Sequence, residues 1–313
     1  MKLDPIIISL LDTDLYKFNM NQVIFHKHTD LCGEYYFKCR NKDVVFTGWG
    51  TPQISGEVLE KADKLQIIAH TGGTVASIVS DEVFQRKLIV LSGNTVFAES
   101  VAEGCLCYAM ASQRNLCGYV RQVQNGLWRD SSFQNNSIWY KTVGLVGFGM
   151  VAKRFVQLLK PFQCRIKVYS GYLTQEEADG FGVERASLEE LFETCDIISV
   201  HSALTERNYH LIGSDELKRM KDDALLINTS RGAVIDETAL ISELATGRIR
   251  AALDVFEQEP LPEQHVLRNL PNVISMPHMA GPTIDMRAVV VEKLIADAER
   301  IVNGQEVIST SKN

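Results

Sequence analysis

The sequence predicts an α/β protein: a doubly wound parallel sheet with helices on both faces, preceded by a smaller α/β unit. Three observations carry that reading. Short apolar runs alternate with helical patterns through the C-terminal two-thirds of the chain. One of these runs ends in a glycine-rich turn that opens a helix. A shorter series in the same style lies between residues 44 and 91.

The elements follow in order. Residues 141–146 (KTVGLV) read as a strand, and 151–159 carry helical periodicity through Val151, Phe155, Leu158 and Leu159. Residues 165–169 (RIKVY) give a second strand. Residues 187–194 open with a serine cap and continue as an acidic first turn of helix. Further strands are predicted at 196–200, 224–228, 251–255 and 273–276. In the smaller unit, strands are predicted at 44–47, 65–70 and 87–91, with a helix at 57–62. Residues 98–118 read as one long helix. Residues 130–137 are polar and read as a linker.

The bulk properties limit the function. The chain has 313 residues, 45% hydrophobic and 23% charged, with a formal net charge of -7. That balance suits a folded protein with sizeable cores and disfavours nucleic acid as the main partner, because phosphate binding needs a basic surface. Seven cysteines are scattered without a CxxC pair, as expected of reduced thiols in a cytoplasmic protein. Cys105 and Cys107 lack a neighbouring His or further Cys, so no metal is expected. No secretory signal is recognised, and no apolar run reaches the roughly 18 residues a membrane span needs.

The glycine turn is the first functional signal. Gly147, Gly149 and Ala152, with Met150 and Val151 between them, form a GxGxxA pattern between a strand and a helix. The first glycine allows a tight turn and the second lets backbone approach a pyrophosphate. The alanine lets the helix pack close to the sheet, and the helix start offers unpaired N–H groups to the phosphates. A dinucleotide cofactor, NAD or NADP, is expected. About 20 positions on, where a carboxylate would hold the adenine ribose, the sequence has Ser170. Serine does not repel a 2′-phosphate, yet no Arg or Lys follows immediately, so the preference between NAD and NADP stays open.

Behind this turn stand the segments NTSRG (228–232), ALDVFEQEP (252–260) and MPHMAG (276–281), with VHSALT (200–205) before them. With KTVGLVGFG, they resemble the D-isomer-specific 2-hydroxyacid dehydrogenases over about residues 44–313. The resemblance implies a Rossmann-type nucleotide domain and a flavodoxin-like substrate domain, here N-terminally incomplete. It implies hydride transfer between NAD(P)H and C2 of a small 2-oxo or 2-hydroxy acid. It places Arg231 on the substrate carboxylate and carbonyl, a role suited to a bidentate guanidinium. His278 becomes the acid/base, with Glu259 as its carboxylate partner; a nearby carboxylate stabilises imidazolium. Cofactor contacts map to Gly147, Gly149, Met150, Val151, Ala152, Ser170, His201, Ala203, Thr205, Thr229 and Asp254. Substrate contacts map to Arg231 and to the backbone of Gly73, Thr74 and Val75. A homodimer is expected on the same ground. Where the family commonly has asparagine, this sequence has Phe97.

The N-terminus departs from that pattern. Residues 9–18 (SLLDTDLYKF) and 34–40 (EYYFKCR) resemble the start of nicotinate phosphoribosyltransferase, over about residues 4–43. In that family the tyrosine of the motif, Tyr16 here, lies near the nicotinate ring. The rest of a transferase site is not supplied after residue 44. The expected division is a foreign segment 1–43, a substrate domain of 44–96 and 282–313, and a nucleotide domain 97–281. Without its usual first strands, the substrate domain is expected to expose a sheet edge unless residues 1–43 cover it. The alternatives to a dehydrogenase are a dinucleotide-binding sensor or corepressor-like protein without turnover, and an inactive fusion fragment.

Overall fold

The structure, a computed structural model, describes residues 23–25 (backbone only), 44–129, 135–281 and 283–306. Two compact units emerge. One is Ala98–Gly281; the other comprises the described residues of Met1–Phe97 and Pro282–Asn313. The transferase-like motif residues, Tyr16 among them, lie outside the described residues, as does part of the expected linker.

The strands of the smaller unit are β1 (Val23–Phe25), β2 (Val44–Thr47), β3 (Ile67–His70) and β4 (Ile89–Ser92), in that spatial order and all parallel. β2 and β3 are buried along their whole length, because helices and loops cover both faces. Val44, Phe46, Ile67 and Ala69 pack with Val290, Val291, Leu294 and Ile295 of the helix Ile284–Val302. Val45 and Ile68 point the other way, to Ile54, Val58, Leu59 and Val83. β1 lies within residues 1–43. Val23, Ile24 and Phe25 lie in parallel register with Val44, Val45 and Phe46. The edge of β2 that the sequence left open is therefore paired.

The larger unit holds β5 (Thr142–Val146), β6 (Arg165–Tyr169), β7 (Glu184–Arg185), β8 (Ile197–Val200), β9 (Leu225–Asn228), β10 (Arg250–Leu253) and β11 (Val273–Ser275). Their order across the sheet is β11-β10-β9-β8-β5-β6-β7, all parallel. The order reverses beside β5, so the crevice at the C-terminal ends of β5 and β8 is the topological switch point where such sheets bind ligands. Successive residues enter different cores. Val143, Leu145, Ile197 and Leu225 pack with Phe155 and Ala152 on one face. Val146, Ile198, Val200 and Leu226 pack with Leu191 and Phe192 on the other. Phe155 is fully buried; truncating a phenylalanine at such a site costs about 3–5 kcal/mol.

Most element limits agree with the sequence to within a few residues. The long helix expected at 98–118 instead runs Asn94–Gln113, stops, and is followed by Leu116–Gln124. The break is at Asn115, whose φ of 47° lies in the left-handed region that asparagine tolerates best among non-glycine residues. The serine cap expected at Ser187 is present: its side chain accepts from the Glu190 N–H.

Candidate active site

The loops that follow β5, β8, β9, β10 and β11 share the C-terminal edge of the larger sheet, and the sequence-predicted residues of this unit lie largely in them. Gly147 follows β5 with φ of 96°, and a Cβ there would lie 2.9 Å from the backbone of His201 and Ser202. Only glycine lets these two strand ends approach so closely. The Gly147 N–H donates to the Tyr169 carbonyl at 2.8 Å, and the His201 N–H donates to the Val146 carbonyl at 2.8 Å. Gly149 caps the helix Met150–Leu159, and a Cβ there would meet nothing within 4 Å. Ala152 is fully buried and joins the sheet core. Met150 and Val151 are half-buried at the helix start, where N–H groups have no intrahelical acceptor.

His201 adds a polar group beside this turn. Its Nε2 is buried without a hydrogen-bond partner, and burial pushes the imidazole down to about 4. Ala203 and Thr205 are exposed further along the same loop; the Thr205 hydroxyl accepts from the Asn208 N–H at 3.3 Å. Thr229 Oγ1 and Cys105 Sγ lie 3.1 Å apart. Ser170 is half-buried just past β6. An open helix start, a glycine without steric neighbours and an unpaired buried imidazole nitrogen together fit a dinucleotide.

The catalytic set predicted from sequence is held by backbone and carboxylate contacts. His278 has φ of 54°, and its Nδ1 lies 2.7 Å from Glu259 Oε2. The other Glu259 oxygen accepts from the Phe256 N–H at 3.0 Å. The His278 N–H donates to the Asp254 carbonyl at 2.9 Å. The Asp254 carboxylate is buried and accepts from the Met279 N–H at 2.8 Å, the Ala280 N–H at 2.9 Å and the Tyr108 hydroxyl at 3.1 Å. Its charge therefore pins the turn that carries His278. Next to it, Tyr108 is pushed up by burial, then by the Asp254 charge, so its hydroxyl stays a donor.

Arg231 is exposed, and among the described residues no carboxylate pairs with it; its Nη1 donates to the Ser230 carbonyl at 2.6 Å. Asn228 shapes the loop beneath. Its Oδ1 accepts from the Ser230 N–H and hydroxyl, and its Nδ2 donates to the Arg231 carbonyl. A Cβ at Gly232 would lie 1.9 Å from the Phe256 carbonyl carbon. The loop of Arg231 thus touches the loop of Glu259 through bare backbone. Asn228, Gly232 and Tyr108 support the candidate site and were not assigned from the sequence; the first two stand inside a motif that was read there.

In the smaller unit, Gly73, Thr74 and Val75 follow β3 and are half-buried. Phe97 packs against this loop: a Cβ on Gly73 would lie 3.0 Å from its ring. His70, buried at the end of β3, shares a hydrogen bond with Thr47 through Nδ1 at 2.9 Å, and burial pushes it down to about 4. Among the described residues no group of three or more His, Cys, Asp or Glu could hold a metal, and no helix is long and apolar enough to cross a membrane.

Comparison with known proteins places this geometry. The family model for "D-isomer specific 2-hydroxyacid dehydrogenase, NAD binding domain" matches residues 106–280. A glyoxylate reductase of Korarchaeum cryptofilum is 36% identical over 255 residues, covering 79% of this chain and 77% of that one. A D-3-phosphoglycerate dehydrogenase of Methanocaldococcus jannaschii is 32% identical over 270 residues, or 86% of this chain; the match spans only 51% of that longer protein. Among solved structures, a phosphoglycerate oxidoreductase from Rhizobium etli is 28% identical with a TM-score of 0.75, covering 89% of this chain and 86% of that one. With the family model matched over residues 106–280, which include these loops, the chain belongs to the D-isomer-specific 2-hydroxyacid dehydrogenase family.

Proposed function

We propose that this chain is an NAD(P)-dependent oxidoreductase acting on small 2-oxo and 2-hydroxy acids. The observation that carries the reading is the 2.7 Å contact between His278 Nδ1 and Glu259 Oε2. It leaves Nε2 without a partner among the described residues, and the His278 side chain is 51% exposed. An imidazole held on one nitrogen by a carboxylate can exchange a proton through the other.

When bound, the dinucleotide supplies or accepts the hydride at the substrate C2. The turn Gly147–Gly149 and the N–H groups of Met150, Val151 and Ala152 would hold its pyrophosphate, with His201, Ala203, Thr205 and Thr229 along the neighbouring loops. Asp254 contributes by fixing the His278 turn. Arg231 would bind the carboxylate and polarise the carbonyl of a 2-oxo acid, and its unpaired guanidinium suits that task. The backbone amides of Gly73, Thr74 and Val75 are proposed as further donors to a substrate carboxylate. In reduction, His278 Nε2 gives its proton to the carbonyl oxygen, and the Glu259 carboxylate orients the ring through Nδ1. A homodimer in the cytoplasm completes the proposal.

Residues 4–43, with their resemblance to nicotinate phosphoribosyltransferase, enter as the source of the β1 backbone rather than of transferase chemistry. The intact set of Arg231, Glu259 and His278 favours an enzyme over a dinucleotide sensor. The test is oxidation of NADH and NADPH by the purified full chain with glyoxylate, pyruvate and hydroxypyruvate. Turnover of at least one acid is expected. Tight dinucleotide binding without turnover of any 2-oxo acid would replace the enzyme by the sensor.

A further inference from the structure

β7 is two residues long, Glu184 and Arg185, and both are charged. Nothing in their local sequence marks a strand. It forms because β6 offers a free edge: Lys167 pairs with Glu184 and Val168 with Arg185, and the Ala186 N–H donates to the Val168 carbonyl at 2.9 Å. This pairing carries Arg185 to the end of β6, the position from which a dinucleotide fold meets the adenine ribose. Ser170, Gly171, Arg185, Ser187 and Glu190 line one depression there, of about 360 Å³.

The charge in that depression is positive. Glu190 is paired with Lys167 at 2.5 Å, and Glu184 lies 3.8 Å from Arg165. Arg185 has no carboxylate partner among the described residues. A carboxylate at the end of β6 would accept from the ribose hydroxyls and repel a phosphate; the uncharged Ser170 hydroxyl does not repel one. Its hydroxyl can donate, and Gly171 beside it leaves room, since a Cβ there would meet nothing within 4 Å. A solvent-facing guanidinium that would otherwise be unpaired, a hydroxyl donor and a free volume together suit a dianionic phosphate monoester.

We propose that this depression takes the 2′-phosphate of NADP(H), and that Arg185 is the residue that makes the chain prefer NADPH over NADH. This rests on the dinucleotide site of the proposed function and deepens it by choosing the cofactor. Sequence inspection of the residues right after β6 misses it, because Arg185 lies 15 positions beyond Ser170 and arrives by strand pairing.

The experiment is equilibrium binding of NADPH and NADH to the full chain by calorimetry, without substrate. The wild type and Arg185→Gln are compared, with 2′,5′-ADP and 5′-ADP as probes that lack the nicotinamide. NADPH is expected to bind the wild type about tenfold more tightly than NADH, with 2′,5′-ADP ahead of 5′-ADP by a similar factor. Arg185→Gln is expected to bring both ratios to about one. The gap should shrink with added salt, because the guanidinium is exposed. Arg185 is on the surface, so the glutamine variant keeps the core intact. Equal or tighter binding of NADH by the wild type overturns the proposal, as does a loss in Arg185→Gln shared equally by both dinucleotides. Failure to bind either dinucleotide overturns it together with the enzyme reading. NADPH-selective binding without turnover of any 2-oxo acid would sink the enzyme reading alone, and turnover with a preference for NADH would sink this one alone.

Discussion

The larger and the smaller unit solve one problem, a parallel sheet buried on both faces, with different materials. The larger unit draws its seven strands from residues 142–275, and every interior strand runs between two of its own neighbours. The smaller unit takes its edge strand from Val23–Phe25, well before the other strands of its sheet in the chain. A parallel edge asks its neighbour for backbone donors and acceptors in register, which many extended segments can supply. A catalytic turn asks for particular side chains. The units differ accordingly at their strand ends. Buried carboxylate and amide contacts fix His278, Glu259 and Arg231 in the larger one. In the smaller one, the loop after β3 is held by backbone contacts, from the Thr71 N–H to the Thr47 carbonyl and from the Gly93 N–H to the Gly72 carbonyl, and by packing of Gly73 against Phe97.

That contrast can be broken most directly by adding one methyl group to each loop. At Gly232 the Cβ would lie 1.9 Å from the Phe256 carbonyl carbon, and backbone cannot step aside cheaply. Gly232→Ala is expected to cost about 3 kcal/mol of stability and to displace Arg231. Gly73→Ala meets the Phe97 ring at 3.0 Å; a half-buried side chain can shift, so the cost is expected to stay below about 1 kcal/mol. Urea unfolding of the two variants measures both values. Equal costs would show that the two loops are built alike after all.

Acid should strain both units, each through one histidine. His70 and His201 are each pushed by burial from 6.5 to about 4. Each is therefore neutral when folded and protonates in the unfolded chain below about 6.5. Between those values the unfolded state binds more protons, so the stability present above pH 6.5 is lost as the pH falls toward 4. The loss is on the order of 3 kcal/mol for each ring. Melting temperature against pH, with His70→Asn and His201→Asn, assigns the loss to each unit. A flat wild-type profile between pH 7 and 4 would contradict the burial of both rings.

A smaller effect sharpens the comparison within the larger unit. Glu259→Gln keeps the Phe256 contact but removes the charge beside His278. Its kcat/KM for 2-oxo acid reduction should fall about tenfold to a hundredfold while dinucleotide affinity holds. A matching loss of dinucleotide affinity would mean that Glu259 shapes the fold rather than the chemistry.

How much of this was legible in the sequence follows from where each signal lies along the chain. The 44–47 and 165–169 strands are readable to the residue for different reasons: the first is an apolar run buried on both faces, and the second alternates buried Ile166 and Val168 with more exposed Arg165, Lys167 and Tyr169. β7 is invisible, since two charged residues become a strand only through the neighbour they pair with. The helix break at Asn115 is a single backbone angle with no periodicity to announce it. The glycine turn, Arg231, Glu259 and His278 stand out as candidates in the sequence because each sits in one contiguous motif. Tyr108 was not, because its link to Asp254 spans 146 positions and depends on how a helix packs on the sheet. The buried carboxylate of Asp254 gives it a structural task that its resemblance-based place among the cofactor contacts did not suggest.

The central claim is that His278 exchanges a proton with a substrate while the glycine turn independently binds the dinucleotide. The measurement that tests it most directly compares wild type and His278→Ala in steady-state reduction of glyoxylate or hydroxypyruvate, alongside NADPH and NADH affinity. A fall in kcat/KM of about 10²–10⁴ with dinucleotide affinity unchanged is expected. Turnover that survives the substitution would contradict it, and so would the joint loss of turnover and dinucleotide binding.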